Sequence, residues 1–243
     1  MSGPTDAIAL VTGANKGIGF EVARGIAKAG YVVLLGARNP TTGREAVDSL
    51  RNERLDVRFV ELDVTRRETI SAAAGRIEAD FGKLDVLINN AGIADPHDGP
   101  PSRASVDAIE RVLRTNFLGA VAMTQAVLPL LKKSGTGRIV NVSSELGSIT
   151  GHGDPTWKFA PVKVLGYCAS KAALNMFTAQ LAFELRDQGI AVNSVNPGFT
   201  ATDLNAHRGQ QTVEEGAAEI VRVALQERGP TGKFLETGGE LVW

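Results

Sequence analysis

The sequence predicts an α/β fold of the doubly wound kind, a parallel sheet with helices packed on both faces. Three observations carry that expectation. Short apolar runs alternate with amphipathic stretches along the whole chain, runs such as Tyr31-Val32-Val33-Leu34-Leu35 are too apolar for a strand with one wet face, and a turn with three glycines joins the first run to the first amphipathic stretch. At 243 residues the chain fits one domain, 1–243, long enough to bury a substantial core. No repeat, low-complexity tract or linker divides it.

The first strand is read at Ile8 to Thr12, the turn at Gly13-Ala14-Asn15-Lys16-Gly17-Ile18-Gly19, and the first helix from Phe20 to Ala29. Gly13 is expected to turn the chain off the strand, Gly17 to let backbone N–H groups approach a ligand, and Gly19 to let the helix lie against the sheet. A helix N-terminus there, with unpaired N–H groups and its dipole, favours an anion; a dinucleotide pyrophosphate is the usual guest. The spacing is G-x-x-x-G-x-G rather than the commoner G-x-G-x-x-G, and a structural strand-to-helix turn fits three glycines as well. A phosphate loop ending in Gly-Lys-Ser/Thr is excluded, because Lys16 precedes its glycine.

The second strand, Tyr31 to Arg38, ends without an acid. A carboxylate there suits the ribose hydroxyls of NAD and a base suits a 2′-phosphate, so Arg38 and Lys16, two cations with no competing anion, favour NADP; the bland alternative is a surface arginine. Thr42 to Asn52 reads as a helix and Val57 to Leu62 as the third strand, running into Asp63-Val64. Asp63 or Thr65 would cap a helix over Arg67 to Phe81, or Asp63 would meet an adenine amine; the residues leave both open. The fourth strand, Leu84 to Ile88, enters Asn89-Asn90-Ala91-Gly92, which puts amides at a sheet end with room for a flat ligand.

Ile93 to Ser105 is a loop by its Pro, Gly and Asp content, and Ser105 or Asp107 would cap one long helix from about Val106 to Lys132, with Asn116 on a partly buried turn. The fifth strand, Gly137 to Ser144, ends in two hydroxyls. Glu145 to Leu165, with an exposed-looking Trp157, is a connection long enough to be functional or mobile. A helix then runs from Gly166 to about Asp187, and Tyr167 and Lys171 share one of its faces. A nearby ammonium stabilises a phenolate and brings a phenol towards useful acid–base chemistry, although most Tyr/Lys pairs at this spacing are ordinary helix surface. Ile190 to Val195 is the sixth strand; Pro197 and Gly198 break it, and Thr200 and Thr202 beyond can hydrogen-bond a ligand amide. Thr212 would cap a helix over Val213 to Glu227, and Lys233 to Leu235 would be an edge strand.

Composition excludes several classes. With 26 basic and 27 acidic residues the net charge is −1, and nothing suggests a nucleic-acid or membrane partner. Cys168 is the only cysteine, so there is no intramolecular disulfide or paired-thiolate zinc site, and a reducing compartment is the natural home. His97, His152 and His207 lack ligand spacing, so no metal is expected. Met1 to Asp6 lacks the regions of a signal peptide and no apolar run is of membrane-spanning length; the protein is expected to be cytoplasmic.

Taken jointly, Thr12-Gly13-Ala14-Asn15-Lys16-Gly17-Ile18-Gly19, Asn89-Asn90-Ala91-Gly92, Asn116, Ser144, Tyr167 with Lys171, and Pro197-Gly198 with Thr202 resemble the short-chain dehydrogenase/reductase family across the whole chain, most nearly its NADPH-dependent carbonyl reductase branch. The resemblance implies a Rossmann-like fold with a seven-stranded parallel sheet in the order 3-2-1-4-5-6-7 and an NADP(H)-dependent oxidoreductase acting on a small-molecule ketone, aldehyde or alcohol. It places catalytic roles on Asn116, Ser144, Tyr167 and Lys171: Ser144 holds the substrate oxygen, Tyr167 passes it a proton, Lys171 holds ribose and depresses the Tyr167 pKa, and Asn116 supports a relaying water. Ser143 would touch the cofactor or cap the strand. Cofactor contacts fall on Gly13, Asn15, Lys16, Gly17, Ile18, Gly19, Arg38, Asp63, Val64, Asn90, Ala91, Gly92, Tyr167, Lys171, Pro197, Gly198, Thr200 and Thr202. An apolar substrate is expected against Leu146, Ile149, Trp157 or Phe199. From Ser144 to Tyr167 is 23 positions, longer than the family's common spacing, so residues 145–166 hold an insertion that leaves specificity open, along with the choice among monomer, dimer and tetramer. Oxidation of an alcohol, or dinucleotide sensing without turnover, are the competing functions.

Overall fold

The computed structural model describes residues 7–227 and 229–243; the reading made of Met1 to Asp6 lies outside them. Eight strands form one sheet: β1 (Ile8–Thr12), β2 (Val32–Ala37), β3 (Val57–Glu61), β4 (Val86–Asn89), β5 (Arg138–Val142), β6 (Ala191–Val195), β7 (Phe234–Glu236) and β8 (Gly239–Glu240). Their order is β3-β2-β1-β4-β5-β6-β7-β8. The first seven run parallel in the expected order. β8 extends the sheet: after a turn through Gly238, at φ +97°, it returns antiparallel to β7 and takes the edge assigned to Lys233–Leu235.

Side chains alternate across the strands, and this builds two cores. Ala9, Val11, Val86, Ile88, Val140 and Val142 face one side. There they meet α1 (Gly17–Lys28), α2 (Pro40–Asn52) and α8 (Val213–Leu225). Ile8, Leu10, Leu87 and Ile139 face the other side. That side is covered by α3 (Arg67–Phe81), α5 (Gly119–Ser134) and α7 (Leu165–Glu184). α4 (Val106–Leu113) leads into α5, and α6 (Ile149–Gly153) is a short turn in the long connection. Burial of a side chain such as Leu10 or Leu87, both fully enclosed, contributes about 1.5–3 kcal/mol.

Two local expectations are corrected. The single helix over Val106 to Lys132 is interrupted by a wide π turn at Arg114–Leu118, which carries Asn116 inward to 1% exposure. Ser105 does cap the start, accepting from Ala108 N at 3.4 Å. Neither Asp63 nor Thr65 caps α3. Arg66 holds that position without a side-chain bond, and the Asp63 carboxylate is instead turned onto Thr65, accepting from its N at 2.9 Å and its hydroxyl at 2.7 Å. Thr212 caps α8 as expected, through Glu215 N at 3.2 Å.

The strand order reverses between β1 and β4, and ligands of open α/β sheets bind outside the carboxyl ends of strands at such a point. The glycine turn follows β1 and Asn90-Ala91-Gly92 follows β4, so both motifs meet there.

Candidate active site

The glycine turn is shaped by contacts from β4. Gly13 stands at φ +64°, and a Cβ on it would lie 2.9 Å from Ala91 Cα. Gly19 is tighter: its Cβ would meet Asn90 Nδ2 at 2.3 Å and Gly13 O at 2.7 Å, so its smallness lets the start of α1 lie against both the turn and the end of β4. Asn90 Nδ2 donates to Thr12 O at 2.9 Å and Gly13 O at 3.0 Å, and Thr12 Oγ1 accepts from Asn90 N and Ala91 N. Asn89 is buried on Thr124 and Asn141. The two amides expected to face a flat ligand are thus committed to the scaffold, and Asn90 braces the turn from below.

Gly17 is the open position. At φ +59° its missing Cβ points into space whose nearest atom is Thr202 Cγ2, 3.9 Å away. No side chain among the described residues caps the N-terminus of α1, whose first N–H groups border that space. A cradle of donors beneath a gap bounded by Thr202 fits a dinucleotide diphosphate. Asn15 ties the turn to α2 through Thr42 Oγ1 at 3.2 Å, and Ile18 packs on the core. Val64 fills the core against Gly119, while Gly198, at φ +76°, turns the chain after β6 and Pro197. Thr200 is corrected as a ligand contact: it is buried, with its hydroxyl donating to Pro197 O at 3.1 Å.

The charges near the ribose end also differ from the expectation of two cations without an anion. Arg38 is exposed at the end of β2; burial pulls the Asp63 carboxyl up, but the two hydrogen bonds from Thr65, helped by the charges of Arg38 and Arg66, hold it below its usual range. Lys16 is paired across the turn with Asp203, which also takes His207 Nε2 at 2.8 Å. The pairing was invisible along the sequence because Asp203 follows Lys16 by 187 residues.

The catalytic candidates gather on the adjoining side. Lys171 is buried and donates to Val142 O at 2.8 Å, with its Nζ 5.6 Å from the Tyr167 ring centroid. A Cβ on Gly92 would lie 3.6 Å from Asn116 Oδ1 and 3.8 Å from Lys171 Nζ, so those two groups converge beside the end of β4. Asn116 also donates to Ser170 Oγ at 3.1 Å, and Ser170 donates to Tyr167 O at 2.7 Å. Ser144 caps a short 3₁₀ turn, Glu145–Gly147, by accepting from Leu146 N at 3.2 Å, which leaves its own O–H to donate to the Tyr167 oxygen. That turn packs on α7: a Cβ on Gly147 would lie 2.8 Å from Lys171 C. Ser143 turns away and donates to Asn175 Oδ1 at 2.6 Å, so it braces α7 and neither caps the strand nor faces the cleft.

The acid–base balance differs from that implied by resemblance. Burial, opposed by Ser144's hydrogen bond, pushes the Tyr167 phenol up to about 12, although the residue keeps a partly open surface. Burial pulls the Lys171 ammonium down to about 8. Each group disfavours its charged form for the same reason, loss of water; the lowering influence on the phenol comes from Ser144, and the expected depression by the amine is not among its causes.

Sequence reasoning missed the scaffold behind these groups. Asn141 Nδ2 donates to Thr178 Oγ1 at 2.8 Å, Thr178 shares a 2.8 Å bond with Ser194, and Asn175 receives Ser143. Asn175 and Thr178 share a face of α7 with Lys171, and that periodicity is the one signal available beforehand. Trp157 is corrected to half-buried, edge-on to His152 at 4.9 Å and Phe159 at 5.4 Å, while Ile149 is 74% exposed.

A donor cradle that fits a diphosphate, with a phenol and a buried amine on the adjoining side, matches the equipment of a nicotinamide-dependent oxidoreductase of carbonyl and alcohol groups. The chain belongs to the short-chain dehydrogenase family, whose model, described as short chain dehydrogenase, matches residues 7–213. It is 35% identical to salutaridine reductase of Papaver bracteatum, over 94% of this chain and 93% of that protein. It is 37% identical to the short-chain dehydrogenase anuI of Penicillium roqueforti, over 100% of this chain and 96% of the relative. Among solved structures, NADPH-bound carbonyl reductase from chicken fatty liver superposes with a TM-score of 0.85 at 28% identity, covering 98% of this chain and 99% of that one.

Proposed function

We propose that the protein is an NADPH-dependent carbonyl reductase that converts a ketone or aldehyde to the alcohol. The observation that carries the reading is the gathering of Tyr167, Lys171 and Asn116 about Gly92, next to Ala91, which packs on the glycine turn at Gly13. When bound, the dinucleotide supplies the hydride to the carbonyl carbon. Ser144, with one lone pair taken by Leu146 N, turns its O–H from the phenol to the substrate oxygen when that oxygen is bound, and Tyr167 donates its phenolic proton there as the C=O bond becomes C–O–H. A phenol raised to about 12 is protonated throughout the neutral range, the form a proton donor needs. The phenolate left behind lies near the Lys171 ammonium, whose Nζ is 5.6 Å from the ring centroid. The Asn116 side chain, bonded to Ile93 and Ser170, ties the end of β4 to α7 beside these groups.

Arg38, with no acid at the end of β2, supports NADPH over NADH, and the carbonyl reductase structure, titled as NADPH-bound, supports the same choice. Leu146 in the Ser144 turn, with Ile149, Trp157 and Phe199, supports an apolar substrate wall. The lone cysteine supports a reducing, cytoplasmic setting. A sensor without turnover needs only the turn and Arg38, so the joined Ser144, Tyr167 and Lys171 argue for catalysis. The test is NADPH oxidation against a panel of ketones, aldehydes and quinones, run in parallel with NADH. Tyr167→Phe should abolish turnover and still bind NADPH, followed by nicotinamide fluorescence; near-normal turnover in that variant overturns the proposal.

A further inference from the structure

The catalytic helix α7 has no cap of its own, since Val164 offers its first turn no side chain. Every N–H of that turn is nevertheless met. Leu165 N donates to Gly99 O at 3.0 Å and Cys168 N to Val164 O at 3.0 Å. Between them, Gly166 N donates to Asp98 Oδ1 and Tyr167 N to Asp98 Oδ2, both at 2.9 Å. A carboxylate 69 residues upstream of Tyr167 thus stands where a neighbouring cap residue ordinarily would. Gly166 makes room for it: a Cβ there would lie 3.2 Å from Asp98 Oδ2 and 3.1 Å from Ile109 Cα.

The loop bearing Asp98 is fixed at its other end to the site as well. Ile93 exchanges two bonds with the Asn116 side chain, at 2.8 and 3.0 Å, and Asp95 receives Arg111 Nε at 2.8 Å. Asp98 also accepts from Gly99 N at 2.8 Å, so its two oxygens cannot swing free of the loop.

We infer that Asp98 is a positioning residue for the proton donor: it holds the backbone amide of Tyr167 itself, and so fixes where the phenol enters the cleft. The inference rests on Tyr167 being the acid of the proposed reaction. Without the carboxylate, the first turn of α7 loses the acceptors for two consecutive N–H groups, and terminal turns so deprived fray. Tyr167 lies in that turn, and a displacement of about 1 Å of a reacting group lowers rate by about 100-fold.

The experiment compares Asp98→Ala and Asp98→Asn with the native chain in steady-state kinetics, NADPH titration and amide hydrogen exchange. Asp98→Ala should lower kcat about 10- to 100-fold, with NADPH affinity unchanged within about twofold and faster exchange confined to residues 165–167. Asp98→Asn keeps one acceptor oxygen and should recover part of the lost kcat. A kcat within about twofold of native in Asp98→Ala overturns the inference, as does a loss shared equally by kcat, NADPH affinity and thermal stability, which marks a general structural role. Failure of the reductase reading itself is distinguished by Tyr167→Phe remaining active; the exchange measurement then still reports on the clamp.

Discussion

Replacing Lys171 by methionine should end turnover and yet leave the fold more stable near neutral pH. The side chain is 4% exposed, and burial lowers its pKa from 10.5 to about 8. At about 1.4 kcal/mol per unit, the buried charge at pH 7 costs on the order of 3 kcal/mol. Loss of the bond to Val142 O returns about 1–2 kcal/mol of that, because a buried carbonyl loses its partner. The net gain expected is therefore about 1–2 kcal/mol, or a few degrees in Tm for a chain of this size.

The pH dependence makes the prediction specific. The folded-state pKa lies below the unfolded one, so between about pH 8 and 10.5 the unfolded chain still holds a proton the folded chain has released. Raising the pH through that window stabilises the native protein by up to about 1.4 kcal/mol per unit, while the methionine variant gains nothing from this site. Urea unfolding of both chains at pH 7 and pH 9.5 should show the variant's advantage shrinking as pH rises. An advantage that is constant or grows with pH refutes the reasoning, because it places the Lys171 charge in a solvated or paired setting.

Two further perturbations address the cradle. Arg38→Asp should weaken NADPH at least tenfold and favour NADH, measured by paired titrations; an unchanged preference shows that the 2′-phosphate lies elsewhere. Gly19→Ala should cost about 1–3 kcal/mol through overpacking and weaken dinucleotide binding, since the added carbon would fall 2.3 Å from Asn90 Nδ2; a thermal melt and titration matching the native chain would show that the turn yields.

Much of the fold was legible beforehand. Strands buried on both faces read as apolar runs, and the helix between two of them reads by its stripe, so the order and kind of the parallel elements followed from local pattern. β8 was not legible, because two exposed residues carry no periodicity. The π turn at Asn116 was not legible either, since an extra residue in a helical turn is supported by tertiary contacts, here the bonds of Asn116 to Ile93 and Ser170, and not by propensity. At the site, the i,i+4 spacing placed Tyr167 and Lys171 on one face, but the sign of their pKa shifts depended on how much protein covers them. Asp203 beside Lys16 and Asp98 beneath Tyr167 join residues far apart in the chain, where spacing carries no information.

By itself the sequence determined the alternation of elements, the glycine turn after β1 and the chemical kinds available for a site, because these follow from side-chain periodicity and backbone freedom within short stretches. Only the tertiary structure decided which polar groups face the cleft and which brace it. Hydrogen bonds and desolvation act through space: the same packing that braces Asn90, Thr200 and Ser143 within the protein leaves Ser144 and Tyr167 turned toward each other.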